Sequence, residues 1–91
     1  MQLIKIKNQL SSHVFEPSMK NLSRIMKAMT DNGSEGKTKL SLDTNLNYAV
    51  LANHITWLEK RGLVESIIDD CKINVVLTTD GRAFASMLAI A

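Results

Sequence analysis

The residues able to do covalent or acid–base chemistry are few in this chain and poorly spaced for it. Cys71 is the one cysteine, His13 and His54 are the two histidines, and Asp69 and Asp70 stand side by side. Adjacent carboxylates on a strand or turn diverge, so they make a poor acid–base pair. No Ser-His-Asp or Cys-His spacing suggests a nucleophile, and no glycine-rich loop follows a strand. One cysteine and two histidines are too few for an ordinary zinc site. No catalysis, metal or cofactor is expected, and no small-molecule ligand is evident. The chemistry that remains is polar contact by cations, amides and hydroxyls with something larger.

Length and composition say what can present such groups. At 91 residues the chain is one domain with a single modest core. Hydrophobic residues make up 45% and charged residues 22%, ordinary globular usage. Aromatics are scarce, namely Phe15, Phe84, Tyr48 and Trp57, so aliphatics and methionine must fill the core. A lone cysteine cannot form an internal disulfide. No apolar run approaches a membrane span and no signal-peptide pattern opens the chain, so a cytoplasmic protein with no membrane partner is expected. The net charge of +2 is unevenly placed. Up to Lys39 there are seven basic residues against three acidic; beyond it there are four against six. One basic surface is expected.

The elements follow from periodicity and punctuation. Residues 1–16 alternate weakly and read as an arm or a short strand. Residues 17–91 form the domain. Pro17 reads as the first position of a helix over about 17–31, with Met19, Leu22, Ile25, Met26 and Met29 on one apolar stripe. Asp31-Asn32-Gly33 stops it. Ser34-Glu35-Gly36 reads as a polar turn. A second helix spans about 37–44, with Leu40 and Thr44 inward and Thr38 a candidate N-cap. Asn45-Leu46-Asn47 breaks it, and Leu46 plugs the turn into the core. Asn47 caps a third helix over about 47–61, whose inward series is Leu51, His54 or Ile55, and Leu58. Gly62 closes it after Lys60 and Arg61. Two β-branched segments within 63–77 flank the polar tip Asp69-Asp70-Cys71-Lys72 and form a hairpin. Thr78 caps a last helix over 78–90.

The expected fold is mainly α with a small β-hairpin, in the order α-α-α-β-β-α. Three helices followed by a two-stranded hairpin make the winged helix-turn-helix, with the hairpin as wing. In that architecture the third helix enters the major groove of DNA, whose width of about 12 Å accepts an α-helix. Residues 37–64, KTKLSLDTNLNYAVLANHITWLEKRGLV, and 77–84, LTTDGRAF, carry a more specific signal. They hold a K-T-[KR]-[IL] start on the second helix and an N-L-[SN]-Y turn. An L-x-x-[KR]-G-L-[IV] end and an L-T-x-x-G-x-x-F closing motif follow. In these the chain resembles, over residues 17–88, the archaeal winged-helix family of small chromatin-associated proteins and predicted transcriptional regulators. The resemblance implies DNA binding through the third helix and the wing, commonly as a homodimer. Two departures stand out. The last helix is about a dozen residues, too short for the long antiparallel coiled coil of several members. Early in the third helix stand Ala49, Val50, Ala52 and Asn53, where members often carry Lys, Arg or Gln.

The candidate contacts to double-stranded DNA follow. Lys37, Thr38 and Lys39 start the second helix, where side chains and backbone N–H groups meet phosphate. Asn47, Tyr48, Asn53, Thr56 and Lys60 are the groove-facing polar set, with Asn53 suited to adenine and Ala49 to a thymine methyl. Lys60, Arg61 and Lys72 add phosphate contacts through counterion release. Asp69 and Asp70 make the wing tip a poor phosphate contact. His54 reads as a hydrogen-bonded core or boundary histidine. Trp57 packs under the wing or joins a protein interface. The last helix is apolar around much of its circumference, and Phe84, Met87, Leu88 and Ile90 read as a homodimer interface. The main expectation is a dimeric DNA-binding regulator or nucleoid-associated protein. The alternative is a winged-helix protein-interaction module that does not bind DNA.

Overall fold

A computed structural model describes residues 15–90. It contains α1 (Met19–Asn32), α2 (Lys37–Thr44), α3 (Tyr48–Lys60), β1 (Val64–Asp69), β2 (Lys72–Leu77) and α4 (Thr79–Ile90). This is the expected order, four helices and one antiparallel hairpin, a winged helix. The arm or strand expected over residues 1–16 lies outside the described residues, except for Phe15 and Glu16.

The helix starts show which local signal wins. Pro17 does not open α1. Ser18 is its N-cap, and the Ser18 hydroxyl accepts from the Asn21 amide at 3.2 Å. A side-chain oxygen that satisfies an orphan N–H outweighs a proline that merely tolerates lacking one. Thr38 is likewise not a cap: Gly36 stands at that position, without a side-chain bond, and Thr38 is exposed as the second residue of α2. Asn47 caps α3 as expected, its Oδ1 accepting from the amides of Ala49 at 2.8 Å and Val50 at 3.3 Å. Thr78 caps α4 through the Gly81 amide, and its hydroxyl donates to the Gly62 carbonyl at 2.6 Å. One threonine therefore joins the end of α3 to the start of α4.

The core is a single aliphatic cluster. Leu22, Ile25, Met26, Ala28 and Met29 of α1 meet Leu40 of α2, Leu51, Ile55 and Leu58 of α3, and Val64 and Val75 of the hairpin. Met19 is the exception in the α1 stripe. It is the first residue of α1 and is exposed. Asn45 ends α2 in the left-handed region at φ 58°, and Leu46 then turns inward against the core. Thr44 is buried because its hydroxyl donates to the Leu40 carbonyl at 2.7 Å.

The hairpin register pairs Val64 with Leu77 and Asp69 with Lys72, leaving Asp70 and Cys71 as a two-residue loop. Both have positive φ, 50° and 64°. That is the geometry of a mirror-image turn, whose twist matches the strands. The wing also has a third contact that reads only as a turn in sequence. Glu35 forms a one-residue antiparallel bridge with Val75, the Val75 amide donating to the Glu35 carbonyl at 2.7 Å. The bridge ties the α1–α2 corner to the wing and sets the start of α2 beside β2.

Candidate nucleic-acid interface

Helical spacing sorts the polar residues of α3 onto one side. Leu51, Ile55 and Leu58 are buried, whereas Ala49, Asn53, Thr56 and Lys60 are exposed. Their steps of four, three and four residues make one continuous outward stripe. No carboxylate interrupts it. Glu59 is turned to the wing, where its Oε2 accepts from the Ser66 hydroxyl at 2.7 Å.

A shallow groove of about 650 Å³ opens next to this stripe. The start of α2 forms one side with Lys37, Thr38, Lys39 and Leu42, and β2 forms the other with Lys72, Ile73 and Asn74. Tyr48, at the first position of α3, lies across its end. Five of the residues singled out in sequence, Lys37, Thr38, Lys39, Tyr48 and Lys72, are thus brought together from three elements. The Glu35–Val75 bridge is what closes the two sides toward each other.

Two of the expected cations are occupied elsewhere. The Lys39 ammonium lies 3.0 Å from Asp43 and 3.5 Å from Glu35. The Glu35 side chain is only 11% exposed, and its Oε1 has no hydrogen-bond partner. Burial, and then the neighbouring Asp43, push the Glu35 carboxyl above its usual range. The hydrogen bond from Lys39 holds Asp43 below its usual range, and the same bond raises Lys39. The second occupied cation is Arg61, whose guanidinium stacks on the Trp57 ring at 4.0 Å from the centroid. Trp57 itself is half-buried against the core. Both arrangements had a signal in sequence, since Lys39 and Asp43, and Trp57 and Arg61, are spaced by four along or at the end of a helix, and Glu35 stands four residues before Lys39, on the bridge that precedes α2. Lys37 and Lys72 enter no ion pair among the described residues.

His54 supports the site from behind. It is 3% exposed. Its Nε2 accepts from the Ser18 amide at 3.1 Å, and its Nδ1 lies 2.8 Å from the Val50 carbonyl. Those partners require the neutral ring with the proton on Nδ1. Phe15 meets the ring edge-on, with centroids 4.9 Å apart. The start of α1 is thereby anchored to the middle of α3.

On α4 the four expected interface residues separate. Phe84 and Leu88 are partly buried against the core, while Met87 and Ile90 are exposed by 66% and 85%. Among the described residues no group of three His, Cys, Asp or Glu could hold a metal ion, and no helix is long and apolar enough to cross a membrane.

Comparison with known proteins agrees with this geometry. A MarR family transcriptional regulator from Silicibacter pomeroyi DSS-3 is similar at 27% identity and a TM-score of 0.67, over 77% of this chain and 51% of that one. A second MarR family regulator from Silicibacter pomeroyi has a TM-score of 0.74 at 23% identity, over 81% and 51%. Sso10a-2, a DNA-binding protein from Sulfolobus solfataricus, is similar in fold at a TM-score of 0.72 and 16% identity, over 82% and 77%. The chain spans about half the length of the bacterial regulators. No curated protein matches it. Residues 18–89 match the family described as winged helix-turn-helix, from the Ser18 cap to the penultimate residue of α4. With that match spanning every element described above, the chain belongs to the winged helix-turn-helix family.

Proposed function

We propose that the chain is a double-stranded-DNA-binding domain of a transcriptional regulator or nucleoid-associated protein, acting as a homodimer in the cytoplasm. α3 lies in the major groove with Ala49, Asn53 and Thr56 toward the bases. Lys37 and Lys72 flank one phosphate run, with Tyr48 and Thr38 offering hydroxyls and the amide nitrogen of Asn47 free beside them. Lys60 reaches phosphate from the far end of the helix. Lys39 and Arg61 act indirectly, by holding the shape of the groove edge and of the end of α3. The observation that carries this reading is the carboxylate-free stripe of α3 opening beside the groove where Lys37 and Lys72 converge. The exposed apolar Met87 and Ile90 support pairing of two chains through α4.

The test of DNA binding is a salt titration. Each phosphate contact contributes about 0.9 to the slope of log affinity against log salt. Replacing Lys37 and Lys72 together with alanine lowers that slope by about two and leaves the melting temperature unchanged. A wild-type chain that fails to retain duplex DNA at low salt refutes the reading and leaves a protein-interaction module. The dimer has its own measurement. Sedimentation of the wild type gives the mass of two chains, and Met87→Glu with Ile90→Glu gives one. A wild-type mass of one chain refutes it.

A further inference from the structure

We infer that α3 selects A·T-rich major grooves, read by Asn53 against adenine and by Ala49 and Val50 against thymine methyls. The inference rests on the DNA-binding reading above and adds which base pairs are preferred. In the major groove guanine is met mainly by Arg or Lys on O6 and N7, and cytosine by a carboxylate on its amino group. Adenine is met by the two-pronged amide of Asn or Gln, and thymine by apolar contact with its methyl.

The first turns of α3, from Tyr48 to Thr56, hold no lysine, arginine or carboxylate, and Lys37 and Lys72 stand on α2 and β2, where the reading above gives them to phosphate. Arg61 is stacked on Trp57. Lys39 lies between Asp43 and Glu35. Lys60 stands eleven residues beyond Ala49, about 16 Å further along the axis, whereas it is the first turns of such a helix that meet the bases. Glu59 is bonded to Ser66. What remains exposed is Tyr48, which lies across the end of the groove, and Ala49, Val50, Asn53 and Thr56. The Oδ1 of Asn47 is used twice in capping α3, so that amide cannot pair through both of its atoms. Asn53 is the amide on this surface with oxygen and nitrogen both free to meet N6 and N7 of one adenine. One helical turn before it, the Ala49 methyl and Val50 side chain present the apolar surface that a thymine methyl fits.

The experiment uses the full chain and four labelled duplexes of equal length. They are alternating dA–dT, alternating dG–dC, the A·T duplex with deoxyuridine for thymidine, and the A·T duplex with 7-deazadeoxyadenosine for deoxyadenosine. The two analogues remove only the C5 methyl or the N7 acceptor. A·T is expected to bind about tenfold tighter than G·C, with a loss of about threefold for the uracil duplex and about fivefold for the 7-deaza duplex. Asn53→Ala, an exposed change, abolishes the difference between the adenine and 7-deazaadenine duplexes and keeps the salt slope. Equal, salt-sensitive binding of all four duplexes overturns the inference while leaving DNA binding intact. So does a G·C preference, or an A·T preference unmoved by both analogues and by Asn53→Ala, which would place the selection in groove shape. Binding to none of the duplexes overturns the inference together with the reading it rests on.

Discussion

Gly81→Ala lowers the melting temperature by roughly 15 °C, the equivalent of about 3 kcal/mol in a domain of this size. Gly81 is buried in the first turn of α4. A Cβ built there runs into the Leu63 carbonyl oxygen, lies 2.9 Å from the Leu63 carbonyl carbon and 3.3 Å from Leu77 Cδ2. The obstacle is backbone, so no side-chain rotation relieves it. That backbone is itself tied down, because the Leu63 carbonyl accepts the Thr78 amide at 3.1 Å. The methyl must therefore lift α4 off the corner between α3 and β1, or break the Thr78 junction. Thermal unfolding followed by circular dichroism reads the loss. Thr79→Ala, at an exposed position in the same turn, is the control and stays within about 0.5 kcal/mol of wild type. An unchanged melting temperature for Gly81→Ala would show that α4 is not seated on Leu63.

His54→Ala costs about 2–4 kcal/mol. Part is the cavity left by a buried ring that Phe15 meets edge-on. The rest comes from the Ser18 amide, which loses its acceptor at the point where α1 begins. The Val50 carbonyl loses a side-chain donor but keeps its place in the helix, so its share is small. Urea unfolding measures the total. Amide hydrogen exchange localises it: the Ser18 N–H exchanges markedly faster, while Val75, held by the Glu35 carbonyl, keeps its protection below global unfolding. Faster exchange spread evenly over both would mean that His54 acts only as bulk filler.

The fold was legible because each element carried its own punctuation. Asn47 with Leu51, Ile55 and Leu58 defines α3 to within a residue, and two β-branched runs around a four-residue polar tip leave little but a hairpin. The start of α1 was misplaced: Pro17 reads as the first helical position, whereas the Ser18 hydroxyl caps the helix through the Asn21 amide. The Glu35–Val75 bridge has no periodicity to detect, being one residue long. The site was half legible. Lys37, Tyr48 and Lys72 come together as their places in the architecture imply. The diversion of Lys39 and Arg61 is different, because spacing by four marks a possible pair but not which of several partners a flexible cation takes. Counting lysines and arginines therefore overstates the charge offered by this surface.

The Trp57–Arg61 stack has a practical corollary. Trp57 is the chain's sole tryptophan, it is partly shielded from water, and it sits one turn from the end of the helix that would enter the groove. Its ultraviolet emission is thus an intrinsic optical reporter of that end of the rod. Any ligand that draws the guanidinium away from the indole announces itself as a spectral change, with no dye attached.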